Sequence, residues 1–221
     1  MKKNVLMFML LGLMLTGCGN AADNSEKQET SVQEETEEAA VVVSPLEDTT
    51  MENLTDAILS VSLEEGGAYV DDTGVMQMDL KIYTYDKYDM VDIAVLKVGD
   101  TLVTHAGEME IISLDRNDNG LVIINGGLEE GGLDLATDDT GFFYEIGFND
   151  AKSWYEVGEA TIRVSADFLG TDNVDPEQGE VLIYPGDFLI GAVKNYNFTP
   201  YNTTIRVGDG QIVEMTRIYT P

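Results

Sequence analysis

The sequence predicts an all-β domain, an antiparallel sandwich or barrel of about ten short strands with one short helix, and three observations carry that expectation. Beyond Asn53 the apolar residues recur at every second position. Clusters of Gly, Asp and Asn cut the chain into short runs. One stretch alone, 89–96, spaces its apolar residues as a helix does. A content of 43% hydrophobic residues allows a buried core despite 41 Asp+Glu against 12 Lys+Arg and a net charge of -29. That surplus of negative charge argues against a nucleic-acid partner, because phosphate binding depends on Lys and Arg.

The first element is an export signal. Lys2 and Lys3 precede an apolar run from Val5 to Leu15, too short to cross a hydrocarbon core of about 30 Å and suited to the h-region of a secretory signal. Leu15-Thr16-Gly17-Cys18 follows, and it resembles the lipobox of bacterial lipoproteins. The resemblance implies cleavage before Cys18, attachment of diacylglycerol to its thiol, and anchoring at the extracytoplasmic face of the cell membrane. Cys18 is the chain's single Cys, so the thiol would be used by the lipid and none left to oxidise outside the cell. Two acyl chains suffice for stable anchoring. Loss of residues 1–17 removes two lysines and takes the formal charge to -31.

Residues 18–52 hold ten acids and one base and no aromatic residue, and this composition predicts a disordered, self-repelling tether. One domain, 53–221, is expected to follow. Its strands are read at Leu59 to Leu63, Met76 to Tyr83, Leu102 to His105, Met109 to Leu114, Leu121 to Asn125, Phe142 to Ile146, Ala160 to Ser165, Glu180 to Tyr184, Thr203 to Val207 and Gln211 to Tyr219. The helix begins at Asp89, whose carboxylate can cap it, and Met90, Ile93 and Leu96 share a face. Asn119-Gly120 and Gly208-Asp209-Gly210 supply the left-handed backbone that tight hairpins need.

Two segments echo each other. Leu63-Glu64-Glu65-Gly66-Gly67 precedes Asp71-Asp72-Thr73-Gly74, and Leu128-Glu129-Glu130-Gly131-Gly132 precedes Asp138-Asp139-Thr140-Gly141. The order suggests an internal duplication of a β unit.

Two places could carry binding chemistry. Asp115-Arg116-Asn117-Asp118-Asn119-Gly120 matches the first half of an EF-hand loop, with Asp115, Asn117 and Asn119 as the metal ligands and calcium as the cofactor. The match ends at the twelfth position, Gly126, where a bidentate Glu belongs. Residues 142–201 hold 12 of the 18 aromatic residues, and Trp154 and Tyr155 are the ligand-binding candidates, since rings stack on sugar C–H groups while carboxylates accept hydroxyl hydrogen bonds. Catalytic residues are not assigned: His105 is the chain's single His, no Cys accompanies it, and no G-x-S-x-G elbow occurs. Arg206 and Arg217 are among nine bases in 53–221, so each is expected to meet carboxylates.

The leading expectation is therefore a membrane-anchored, non-enzymatic lipoprotein that binds a glycan or protein ligand at the cell envelope. A calcium-stabilised structural domain and a carboxylate-dependent hydrolase of envelope glycans are the alternatives.

Overall fold

The computed structural model describes residues 39–46, 51–137, 140–147, 151–173, 175, 177, 179–193 and 196–220. The segment read as an export signal, Cys18, the first part of the expected tether and Asp138-Asp139 lie outside the described residues.

The protein is all-β. Its strands are, in order, β1 (Val42–Val43), β2 (Ala57–Ser62), β3 (Ala68–Val70), β4 (Met76–Thr84) and β5 (Lys87–Asp89). Helix α1 (Met90–Val95) follows, then β6 (Thr101–Thr104), β7 (Gly107–Glu110), β8 (Leu114–Arg116) and β9 (Val122–Ile124). After a single 3-10 turn come β10 (Leu133–Thr137), β11 (Phe142–Ile146), β12 (Tyr155–Asn173) and β13 (Val181–Ile183). Helix α2 (Pro185–Leu189), β14 (Thr203–Gly208) and β15 (Gln211–Ile218) complete the fold.

Five strands close a barrel. β2 pairs with β4, β4 with β12, β12 with β15, β15 with β14, and β14 returns to β2. All these pairs are antiparallel except β12 with β15. Numbered one to five in chain order, these strands lie around the barrel as 1-2-3-5-4-1, the topology of a five-stranded Greek-key barrel of the OB-fold type. Closure depends on the length of β12: residues 155–163 pair with β4 and residues 163–173 with β15. Period-two alternation fills the interior with Leu59, Val61, Met78, Leu80, Ile82, Ile162, Ile205, Ile212 and Met215, while Phe168, Phe188 and Phe198 join the same cluster. Phe188 comes from α2, where Asp187 accepts from the Tyr184 amide at 2.7 Å.

Between β4 and β12 the chain leaves the barrel and builds a second layer. β5, β11, β10, β9 and β8 lie side by side in one sheet, and β1, β6 and β7 form another. Its core of Tyr88, Ile93, Leu102, Ile111, Val122, Ile124, Leu135 and Phe143 is separate from that of the barrel. Asp89 caps α1 by accepting from the Val91 amide at 2.8 Å, as expected, and Ile93 carries the helix into this second core.

The tether ends earlier than its composition suggests. Val42 and Val43 pair in parallel with Thr101 and Leu102, Val43 is buried, and the Val41 amide donates to Asp100 at 2.8 Å. The run Ala39-Ala40-Val41-Val42-Val43 is the apolar part of that acidic segment, and β6 gives it an edge to pair with.

The two echoed Asp-Asp-Thr-Gly segments each fall in sequence between antiparallel neighbours, β3 and β4 in one case and β10 and β11 in the other. The preceding strands differ in their pairing: β2 pairs with β4, whereas β9 pairs with β10. The approaches differ as well: Leu63 bridges to Phe198, whereas Leu128–Glu130 is a 3-10 turn.

Candidate functional site

The outer face of the barrel carries a row of hydroxyl side chains. Ser60 stands opposite Tyr83 and Thr204, Thr204 opposite Thr216, and Thr216 opposite Thr171. Residues at paired positions point to the same face, so Tyr83, Ser60, Thr204, Thr216 and Thr171 form one lateral line across five strands. They alternate with the buried Leu59, Ile205 and Met215 on the inner face. A groove of about 370 Å³ runs over Tyr83, Ser60, Thr204 and Thr216 and is bounded by the half-buried Tyr85 and Trp154 and the exposed Tyr201, Ile58 and Ile218. Tyr85 and Trp154 meet edge to face with centroids 4.8 Å apart. Lys152 lies 4.1 Å above the Tyr85 ring and 4.9 Å from that of Tyr144, which orders the aromatic wall by cation–π attraction.

A polar pocket adjoins it, where the chain crosses between the barrel and the second layer. Asp86 lies on the outgoing crossing and Tyr155 on the returning one. His105 occupies the β6–β7 turn, which Thr104 shapes by accepting from the Ala106 amide at 3.1 Å. Glu145 comes from β11. Asp86 is 2% exposed; its Oδ2 accepts from the His105 amide at 2.7 Å and lies 3.0 Å from His105 Nδ1, and its Oδ1 accepts from the Tyr155 hydroxyl at 3.2 Å. The Tyr155 ring stacks on the imidazole at 4.1 Å. Glu145 is 8% exposed, and burial raises its carboxyl above the usual carboxylate range against the opposing pull of a Ser153 hydroxyl hydrogen bond and of His105. Tyr88 is also buried; burial, reinforced by Asp86 and Glu145, pushes its phenol up, so it stays neutral and donates to the Val103 carbonyl at 3.0 Å.

The two aromatic candidates separate onto these two features. Trp154 lines the groove, and Tyr155 belongs to the polar pocket. The EF-hand-like segment forms the β8–β9 hairpin. Asn117 Oδ1 accepts from the Asn119 and Leu121 amides, both at 3.0 Å, so the oxygen expected to hold a cation serves the turn. Asp115 lies exposed on β8, and Asn119 sits within the turn. Arg217 is enclosed and forms a bidentate pair with Asp172, while Arg206 pairs with Glu214 at 3.0 Å on the surface.

Composition and motif spacing pass over Asp86 and Glu145, yet a signal for both is present. Ile82, Thr84, Asp86 and Tyr88 keep one inward phase, as do Phe143 and Glu145. Carboxylates in the inward phase of a period-two run are the anomaly that marks the pocket.

Comparison with known proteins finds no matching family model, no matching curated protein and no matching solved structure.

Proposed function

We propose that the chain is a lipid-anchored, extracytoplasmic binding module that takes a glycan-class ligand in the aromatic groove over the hydroxyl row. The carrying observation is the combination of Tyr85, Trp154 and Tyr201 with the aligned hydroxyls of Ser60, Thr204 and Thr216. Rings offer flat faces to sugar C–H groups, and hydroxyls both donate and accept hydrogen bonds. Exposed apolar side chains grouped around a polar floor are what a ligand surface presents before it is covered. The lipobox-like Leu15-Thr16-Gly17-Cys18 supports the anchor and the location.

The neighbouring stretch of the barrel's outer face, on β2, β4 and β12, supports the exclusion of nucleic acid. In OB-fold barrels the second and third strands often bind oligonucleotides or oligosaccharides. Here that face gathers Glu64, Glu65, Asp79 and Glu159 around a single Lys81, whose ammonium is 3.9 Å from Glu64, Glu156 and Glu159. Such a surface repels phosphate.

The test uses the detergent-solubilised full chain in a thermal-shift series with envelope oligosaccharides. A ligand at 100 times its Kd should stabilise the fold by about 2.7 kcal/mol, and Trp154→Ala should abolish the shift without unfolding the protein. No shift with any oligosaccharide, or an equal shift in Trp154→Ala, would refute the groove. In the same preparation Cys18→Ala should lack the lipid mass and leave the membrane fraction.

A further inference from the structure

The pocket at the crossing is separate from the glycan groove and has its own chemistry. We infer that Asp86, His105 and Glu145 bind one divalent transition-metal ion, zinc being the ion whose preferences fit the donor set.

Geometry is the first ground. One ligand atom from each of the three residues lies within 4.8 Å of the others. Two ligands at about 2.0–2.1 Å from a common ion stand about 2.9–3.4 Å apart for right-angle to tetrahedral geometry, and His105 Nδ1 to Asp86 Oδ2 is 3.0 Å. Glu145 lies within 4.8 Å of both, and closing that distance to complete a three-ligand set is the adjustment that metal binding requires.

Charge is the second. Asp86 and Glu145 are both more than nine-tenths buried, and among the described residues no Lys or Arg forms an ion pair with either. Even a protonated His105 leaves two carboxylates facing one cation. Buried carboxylates without matching positive charge are costly. A divalent ion with a neutral imidazole and two carboxylates brings the pocket to zero.

The supporting contacts are the third. Ligating carboxylates and imidazoles are normally held by outer hydrogen bonds. Asp86 accepts from the His105 amide and the Tyr155 hydroxyl, Glu145 is held by the Ser153 hydroxyl, and the Tyr155 ring fixes the imidazole plane. The His105 side chain keeps 31% of its surface, so solvent can reach the ion and supply a fourth ligand. An imidazole among oxygens selects a transition metal, whereas calcium takes six to eight oxygens.

Carboxylates elsewhere on so acidic a chain bind cations diffusely, so comparison between variants carries the test. The full chain, stripped with EDTA, is titrated with zinc and with calcium in competition with a chromophoric chelator, and its melting is followed in parallel. One equivalent of zinc should bind well above the diffuse background and raise the melting temperature. His105→Gln and Glu145→Gln should each weaken that site by at least about tenfold, and Asp115→Asn, an exposed carboxylate on β8, should leave it intact. Cobalt in the wild-type chain should show ligand-field bands that His105→Gln removes. Zinc binding no tighter in the wild type than in both variants, or calcium binding as tightly as zinc, would overturn the inference. Should one variant fail to fold, the other variant and the wild-type cobalt spectrum decide the same question.

Discussion

Arg217 has no solvent exposure, and its guanidinium lies 4.3 Å from the Phe198 ring while both its fork nitrogens reach Asp172. Losing the buried member of such a pair removes the main counter-charge of the other, and because Asp172 keeps some exposure the cost lies toward the lower end of about 3–5 kcal/mol. Arg217→Ala should therefore lower the melting temperature by about 10 °C, whereas Arg206→Ala, on a surface pair with Glu214, should change it by about 1 °C or less. Thermal melts of the two variants side by side check this. The sequence singles out both arginines because bases are scarce in an acidic chain, but composition is blind to burial. The same blindness hides the pocket: Glu145 and Asp86 are two acids among 41, and only their inward phase sets them apart. Trp154 is legible because an aromatic-rich segment already implies either core or ligand surface. Which of the two depends on strands distant in sequence, Ser60 and Thr204 among them.

At the scale of elements, the β3–β4 hairpin hangs on one side chain. Asp71 accepts from the Gln77 side chain, the Thr73 hydroxyl and the Val75 and Thr73 amides, and these bonds, the Gln77 one foremost, hold its carboxyl well below the usual carboxylate range. A depressed folded pKa gives stability that is present above the unfolded value of about 3.9 and lost as pH falls through the folded one. Asp71→Asn should thus melt below the wild type at pH 7, and the gap should narrow as the wild type is acidified past about pH 4; melting curves across that range read it directly. Long alternating strands such as β4 and β15 are plain in the sequence because period two needs only local information. β5 and α2 are not, since three residues and five residues show no period. The expected single strand from Met109 to Leu114 is broken for a tertiary reason: Asn125 Oδ1 accepts from the Ile112 and Ser113 amides, and its Nδ2 donates to the Glu110 carbonyl. Those bonds replace sheet partners, and nothing within the strand itself announces them. Alternation marks only Ala160 to Ser165 of β12, which has 19 residues because its two ends pair with different neighbours.

For the molecule as a whole, residues 53–221 carry 31 acids and nine bases, and their mutual repulsion opposes compaction. Simple salt shortens its range from about 30 Å at 0.01 M to about 10 Å at 0.1 M. The melting temperature should rise across that interval in sodium chloride; a flat response would show that local ion pairs already balance the charge. The fold class is legible because alternation and turn chemistry agree along the chain. The division into two cores is not, since both are built from the same kinds of strand and only pairing separates them. The position of β1 has a mechanical consequence. It precedes every barrel strand in sequence yet pairs with β6 of the second layer through two residues. Tension applied from the N-terminal side would load that short contact before any barrel strand. Val43 would be uncovered as that two-residue contact parted, upstream of barrel strands that pair over longer stretches.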